Sequence, residues 1–380
     1  MFVSRLRTGA ELDQIQADWQ RLSGGNPLQS YTWMRSWWDA FGQHRELYVL
    51  CFRDSGGLVV GLFPFCRRWS LDKGHCLELL GSGKACSDYQ RFLVDPMFAD
   101  DVLQAAVEWL LAAQGEHRWD TIDLDGVEAL DPHINAWRTR MAERAVSITQ
   151  LEQPSCWRLE LPASREAYLS ERSKSRRRLL KKQFELLEQP DSPAKYEVAE
   201  TLDQLRSITE TTRQLHQGRW QADGVAGCFA DAAFDRFLPE VLERLWPSGS
   251  VHAALVTFDG LPVAGSLGLI EAGVHYVYLV GMDPAAAAHQ PGWLLNCGHL
   301  RHAWEHGLTG LDFLRGDESY KASLGAERRP QMRLRLASRQ TLAQVRHRLW
   351  HVGRYCRRWQ WLKRHPRQTL APAASCPDTP

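Results

Sequence analysis

The sequence predicts a mixed α/β (α+β) chain: two lobes, each a mixed β-sheet flanked by helices, then a basic amphipathic helix at the C-terminus. Three observations predict this. The 380 residues exceed an ordinary single domain. From Val251 the chain reads strand, turn, strand, turn, strand, loop, helix, strand, ending in a polar cluster at Arg315–Lys321. A similar order of helices, hairpin, strands, helix and strand precedes residue 152, without a detectable sequence repeat. The boundaries read from this are 1–152, 153–335 and 336–380.

Taken in order, 11–22 carries Leu12, Ile15, Trp19 and Leu22 on one helical face, and Ser23–Pro27 breaks it. A second helix spans 29–41, with Thr32 as its cap and a core stripe of Trp33, Trp37, Trp38 and Phe41. Asp54-Ser55-Gly56-Gly57 turns a hairpin between 47–52 and 58–65. Strands follow at 77–81, 91–94, 121–124 and 147–151, with helices at 101–112 and 131–143. In the second half, 156–161 reads as a strand and 168–187 as one helix bearing the basic run Ser173–Lys182. Helices at 201–217, stopped by Gly218, and 229–246, interrupted or kinked at Pro239, lead to the strands at 251–258, 262–270 and 274–281. Trp293, Cys297, Leu300 and Trp304 mark a helix over 293–306, ended by Gly307, and 311–314 is a short strand.

Charge is unevenly placed. Between Arg328 and Pro377 lie thirteen Lys/Arg and no acid, so residues 1–327 carry a net charge of −11. In the tail, Leu342, Val345, Leu349, Val352, Cys356 and Trp359 form an apolar stripe with basic flanks. Such a helix docks on the acidic body or lies on an anionic membrane surface. After Pro366 periodicity is lost and the chain reads as disordered. Nine cysteines without a CxxC pair are a poor disulfide framework and read as reduced thiols of a cytoplasmic protein. The opening residues lack the apolar core of a signal peptide, and no run is apolar enough to span a membrane.

Two stretches carry chemistry. The loop Gln290-Pro291-Gly292 precedes the helix holding Trp293 and Leu294, and a helix N-terminus after a strand is an anion site. The next strand delivers Arg315-Gly316-Asp317-Glu318-Ser319-Tyr320-Lys321 beside it; alone, such a run reads as a polar turn with a local ion pair. His299, His302 and His306 share a helix face, but no acid or cysteine completes a ligand set, so no metal is expected. Gly81-Ser82-Gly83-Lys84 lacks the spacing of a phosphate loop.

These residues resemble the Fem-related branch of the acyl-CoA N-acyltransferase (GNAT) superfamily, in particular the CelD/BcsL-type acetyltransferases associated with bacterial cellulose and exopolysaccharide genes. The resemblance rests on Leu215-His216-Gln217-Gly218-Arg219-Trp220, Asp259–Ala264, Gly281–Pro284, Pro291–Leu295 and Asp312–Lys321, and is strongest over 168–321. The GNAT loop has two glycines before its helix, whereas this chain has only Gly292.

The resemblance implies tandem GNAT-like lobes, with acyl-CoA (acetyl-CoA) as co-substrate held at Gln290, Pro291, Gly292, Trp293 and Leu294. It implies an amine, or a hydroxyl, of a sugar or cell-envelope precursor as acceptor. Acyl transfer needs a base, an oxyanion donor and an acid for the leaving thiolate. Asp317 or Glu318 can serve as base and Tyr320 as acid. His216, which alone reads as a helix cap, becomes a base or a substrate ligand. Arg219, Trp220, Arg315 and Lys321 would hold substrate, and Asp88 and Tyr89 of the first lobe would line the cleft. One alternative keeps the fold and takes aminoacyl-tRNA as donor, the one case in which nucleic acid is a partner. The other is a non-catalytic accessory protein of polysaccharide synthesis. The tail would make peripheral contact with the inner membrane face.

Overall fold

The structure, a computed structural model, describes residues 1–222 and 224–364, with side chains through residue 355. The tail beyond Pro366 and the side chains of Cys356 and Trp359 lie outside the described residues. Two compact units emerge: residues 1–154 with the chain from 330 onward, and residues 155–329.

The first unit opens with β1 (Phe2–Leu6) and two short helices, α1 (Gly9–Gln14) and α2 (Gln16–Ser23). The single helix expected over 11–22 is divided at Ile15, because Thr8 and Glu11 form a capping box that starts the chain turning early. Helix α3 (Tyr31–Phe41) is capped by Ser30 rather than Thr32, and its Trp33 and Trp37 are buried as the stripe predicts. Strands β2 (Glu46–Arg53), β3 (Val59–Ser70) and β4 (Gly74–Leu79) form an antiparallel meander. The two-residue β5 (Leu93–Val94) pairs with β3. Helix α4 (Ala99–Ala112) crosses over to β6 (Thr121–Glu128), which runs parallel to β4. Helix α5 (Pro132–Glu143), capped by Asp131, leads into β7 (Ser147–Glu160), whose residues to Pro154 belong here.

The second unit begins at Ser155 within β7. The helix expected over 168–187 is two helices, α6 (Arg165–Ser170) and α7 (Lys174–Glu188). Ser173 caps α7, and the Arg177 guanidinium donates to the carbonyls of Leu169, Ser170 and Arg172. After β8 (Ala194–Val198) comes α8 (Leu202–Ala222), which runs through Gly218 instead of stopping there. Helix α9 (Ala232–Leu245) starts at the Asp231 cap and continues through Pro239. Strands β9 (Val251–Phe258), β10 (Leu261–Glu271) and β11 (Val274–Met282) form a second antiparallel meander. Helix α10 (Pro291–Glu305) crosses over to β12 (Gly310–Arg315), parallel to β11, and α11 (Ser319–Ser323) follows. The order here is β7-β12-β11-β10-β9-β8. Gly265 and Gly281, partners across β10 and β11, face α8, while Ala264 joins the core cluster under α7 and α10. Helices thus cover both faces.

The chain then returns to the first unit with β13 (Glu327–Ala337), which from Pro330 onward lies in that unit, between β6 and β7, and with α12 (Thr341–Arg364). A linear division at 335 does not anticipate this return. Met332, Leu334 and Leu336 complete the core cluster of the first unit. At the β6–β13 junction, buried Asp123 accepts from Lys73 Nζ at 2.8 Å and from Arg333 Nε and Nη2 at 2.7 and 2.9 Å. Helix α12 docks on this unit through Ala343, Gln344, Arg346, His347 and Trp350. The Trp350 ring lies 4.6 Å from the Arg335 guanidinium, and Arg346 Nε donates to Leu71 O. Of the two alternatives for the apolar stripe, docking on the body is not the one seen: Leu342, Val345, Leu349 and Val352 are exposed.

Asp123 is buried, which alone would raise its pKa, but Lys73 and Arg333 hold it far below the ordinary carboxylate range. A depressed native pKa contributes stability above the unfolded value that is lost as pH falls. In urea unfolding at pH 7, Asp123→Asn should lower the unfolding free energy by about 3–5 kcal/mol, because buried cations lose their partner. The gap to wild type should narrow below about pH 4.

Candidate active site

Parallel strands β11 and β12 pair only from Val274–Tyr276 against Gly310–Asp312, although β11 continues to Met282 and β12 to Arg315. Beyond that point they part. The cause is local: Leu314 takes a positive φ of 52°, its N–H donates to the Asp312 carboxylate at 2.9 Å, and the β12–β7 register shifts between Asp312 and Arg315. Asp312 captures an amide that would otherwise continue the ladder. The result is a wedge open at the carboxyl ends of two parallel strands, where α/β folds place ligands.

The loop after β12 forms one lip. The buried Lys321 ammonium donates to the carbonyls of Leu314, Arg315 and Gly316 at 3.2, 3.2 and 3.0 Å and pairs with Glu318 at 2.9 Å. An ammonium has three donors, so Lys321 braces its own loop rather than reaching for a substrate anion. Asp317 is likewise engaged: its Oδ1 accepts from Trp157 Nε1 at 3.0 Å and from Ser155 N at 3.3 Å, securing the loop to β7. The Glu318 carboxylate stays largely exposed. Tyr320 packs edge-on against Phe313, 6.0 Å between ring centres. Burial, and then the Glu318 charge, push its phenol pKa well up, and Arg219 offsets part of this. The phenol is therefore protonated at neutral pH. Arg315 lies where β12 ends, partly exposed.

Helix α8 forms the second wall. A Cβ at Gly281 would lie 2.5 Å from Thr212 O and 2.7 Å from His216 N, and one at Gly265 would lie 2.3 Å from Thr212 Oγ1. Only this glycine pair lets the helix backbone come so close to the sheet. It sets His216 against the stretch of β11 that β12 has left. His216 Nε2 accepts from Trp220 Nε1 at 2.8 Å, its ring meets Phe229, and burial lowers its pKa, as does the Arg219 charge. Because Gly218 does not stop α8, His216, Arg219 and Trp220 share one continuous helix, with Arg219 within electrostatic reach of Tyr320. The structure therefore brings together the two sequence segments containing His216 and Tyr320.

The third wall is the start of α10. Gln290 caps it at φ 54°, Pro291 has no N–H, and the amides of Trp293 and Leu294 turn back to Gln290 O. Among the described residues the Gly292 amide has no backbone acceptor, and a Cβ at Gly292 would lie 3.1 Å from Met282 Sδ at the end of β11. Two α7 side chains complete this corner: Arg176, from the basic run that the sequence marks, and Gln183, which the sequence reading does not single out. Gln183 donates to Gln290 Oε1 at 3.0 Å, and the Arg176 guanidinium stacks 4.3 Å over Trp293. Lys174, Arg178, Lys181 and Lys182 are exposed on the same helix. Cations in the first turn of α7 oppose its dipole, a departure that sequence inspection could have flagged. Asp88 and Tyr89 belong to the first unit. There Asp88 is buried, and Tyr89, at φ 58°, accepts from Asn26 through its backbone carbonyl.

Comparisons with known proteins bear on the fold. Residues 173–322 match a family model described as an acetyltransferase (GNAT) domain. No curated protein matches the chain significantly. Among solved structures, FemX aligns with a TM-score of 0.59 at 12% identity, covering 91% of this chain and 99% of that one. A tandem GNAT protein from the clavulanic acid biosynthesis pathway aligns at 0.50 and 14% identity, covering 88% and 98%. The C-terminal domain of a putative lysylphosphatidylglycerol synthetase from Agrobacterium fabrum aligns at 0.53 and 10% identity, covering 89% and 95%. At such identities the likeness is one of fold. The expected class, mixed sheet flanked by helices as in tandem GNAT structures, is the one observed.

If Lys321 braces the loop, Lys321→Met should cost on the order of 3 kcal/mol in denaturant unfolding, because buried carbonyls and the Glu318 contact lose their partner. A substitution that left stability within about 0.5 kcal/mol of wild type would show that the loop holds without it.

Proposed function

We propose that the second unit transfers an acyl group from acyl-CoA to an amine, or a hydroxyl, of a sugar or cell-envelope precursor. This is the role of the CelD/BcsL branch that the sequence resembles. The observation that carries the reading is the wedge between β11 and β12, with the Gly292 amide at one lip and Tyr320 at the other. In this reading the donor's pyrophosphate lies on the α10 N-terminus, where the helix dipole, the Gly292 amide and Arg176 favour negative charge. The thioester lies along the unpaired edge of β11. The acceptor nitrogen attacks the thioester carbonyl, the N–C bond forms and the C–S bond breaks. Glu318, the exposed carboxylate of the loop, takes the proton that the amine releases, and Tyr320, kept protonated by burial, gives one to the departing thiolate. Arg219 and Trp220 hold the acceptor. His216 orients Trp220 through the bond its Nε2 accepts.

We further propose a cytoplasmic location with peripheral contact at an anionic membrane face. The seven described cysteines are all free thiols. Among the described residues no helix is long and apolar enough to cross a membrane. The exposed stripe Leu342, Val345, Leu349 and Val352 is flanked by exposed Arg348 and Arg354, the pattern of a helix lying in a bilayer interface. The rival donor, aminoacyl-tRNA, draws on the exposed cations of α7.

Tryptophan fluorescence should report saturable binding of acetyl-CoA or a longer acyl-CoA. Gly292→Glu should abolish it without unfolding, because its Cβ meets only the flexible Met282 thioether. With an amino-sugar acceptor, Tyr320→Phe should lower kcat about 100-fold and leave KM for the donor within about threefold. No binding of any acyl-CoA would sink this reading, and activity lost on nuclease treatment would assign the donor to tRNA. In a separate assay, the chain should co-sediment with vesicles containing anionic phospholipid, and Leu349→Glu with Val352→Glu should release it. Co-sedimentation unchanged by that pair would rule out the stripe as the contact.

A further inference from the structure

Three histidines from three elements meet beneath α10: His252 of β9, His275 of β11 and His299 of α10. All are buried, with ring centres 4.2 Å apart for His252–His275, 4.8 Å for His275–His299 and 5.5 Å for His252–His299. One nitrogen from each ring lies within 4.8 Å of the other two. An imidazole carries two polar nitrogens, and leaving buried ones unmatched is costly. Yet Nδ1 of His252, Nε2 of His299 and both nitrogens of His275 have no protein partner. The opposite nitrogens of two rings are engaged by one group. The Tyr196 hydroxyl lies 3.3 Å from His252 Nε2 and 3.0 Å from His299 Nδ1.

The surrounding backbone makes room for this cluster. A Cβ at Gly268 of β10, the strand between those bearing His252 and His275, would lie 2.7 Å from His275 Nε2. A Cβ at Gly298 of α10 would lie 2.1 Å from the Tyr196 ring. The register of β10 against β11 also shifts at Gly268. Two glycines and a bulge thus accommodate polar rings in a core that hydrophobic residues would fill at lower cost.

We propose that His252, His275 and His299 bind a divalent transition-metal ion of the zinc class, with Tyr196 as the group that orients two of the ligands. The hydroxyl oxygen has two lone pairs and accepts an N–H from His252 and another from His299. Their opposite nitrogens then present lone pairs, which is the ligand arrangement that outer hydrogen bonds enforce at zinc–histidine sites. Ligands about 2.0–2.1 Å from a tetrahedral ion stand roughly 3.3 Å apart, so small ring rotations close the site. Two further histidines lead from the cluster to the surface. His302, half-buried, has its ring 4.5 Å from that of His252, and exposed His306 stacks on His302 at 3.9 Å. The bound ion would tie α10 to β9 and β11, and so fix the helix whose first turn carries Gly292. The other cluster of this kind, Cys76, Glu78 and Asp123, carries no such proposal. Lys73, Arg68 and Arg333 already neutralise its carboxylates.

The test uses the full, untagged chain stripped of metal with chelator and titrated with Co2+, then with competing Zn2+. The site predicts one Co2+ per chain with the intense visible absorption of a low-coordinate ion, displaced by Zn2+, and a rise in Tm on adding Zn2+. His275→Leu and His299→Leu should lose both responses, while His347→Ala with His351→Ala, in the tail helix, should keep them. Weak six-coordinate absorption, no change in Tm, or responses that persist in a folded His275→Leu variant would overturn the proposal. Should the buried variants fail to fold, the wild-type Co2+ spectrum and stoichiometry decide the matter alone.

Discussion

The parting of β11 from β12 is the constraint on which the candidate site depends. Two parallel strands ordinarily continue their ladder as far as both extend, and here the ladder stops with β11 still running. A hydrogen bond of 2.9 Å from the Leu314 amide to the Asp312 carboxylate, with Leu314 in the left-handed region, redirects the β12 backbone. Lys321 then collects the carbonyls that this redirection frees. Residues that look like a reactive polar cluster in sequence are thus divided by role. Asp312, Asp317 and Lys321 are engaged in holding the loop, Glu318 is largely exposed beside Lys321, and Tyr320 packs on Phe313.

The elements around the wedge follow from the same geometry. An unpaired stretch of β11 needs cover on its faces, and the Gly265–Gly281 pair lets α8 supply it at close range. That approach carries His216, Arg219 and Trp220 to the site together. On the other face, α10 starts against Met282 and is held by α7 through the Gln183–Gln290 bond and the Arg176–Trp293 stack. The second unit repeats the plan of the first, an antiparallel meander joined to a parallel strand through a crossover helix. In the first unit the corresponding parallel pair is β4 and β6, where Asp123 and Lys73 form an ion network.

Much of this was legible in the sequence, because periodicity and turn chemistry are local. The hairpins, α10 and the strand ahead of the polar cluster were readable at the level of single residues. Three kinds of feature were not. Strand β13, rich in arginine, shows little alternation until its partner Asp123 is known. Apolar spacing in α12 leaves open whether the stripe docks or faces a membrane, and the contacts that hold the helix come from Gln344, Arg346, His347 and Trp350, which carry no periodic signal. The histidine cluster was read from one helix, where His299, His302 and His306 lack a completing ligand. Its other members come from strands, and the signal was a histidine at a core-facing position in each of two apolar strands, VHAALVTF and VHYVYLVGM.

The placement of β13 bears on how the polypeptide acquires its shape during synthesis. Residues 155–329 are contiguous, so the second unit has its whole sequence once the ribosome has passed Arg329. The first unit, although it holds the N-terminus, lacks the strand between β6 and β7 until residue 337 has emerged. The usual order, in which the leading domain matures first, is therefore reversed. Until then β6 and β7 present open edges to other nascent chains, the exposure that invites strand exchange and aggregation. A message truncated before that point would yield a finished second unit attached to an unfinished first, which quality control would see as a folding failure.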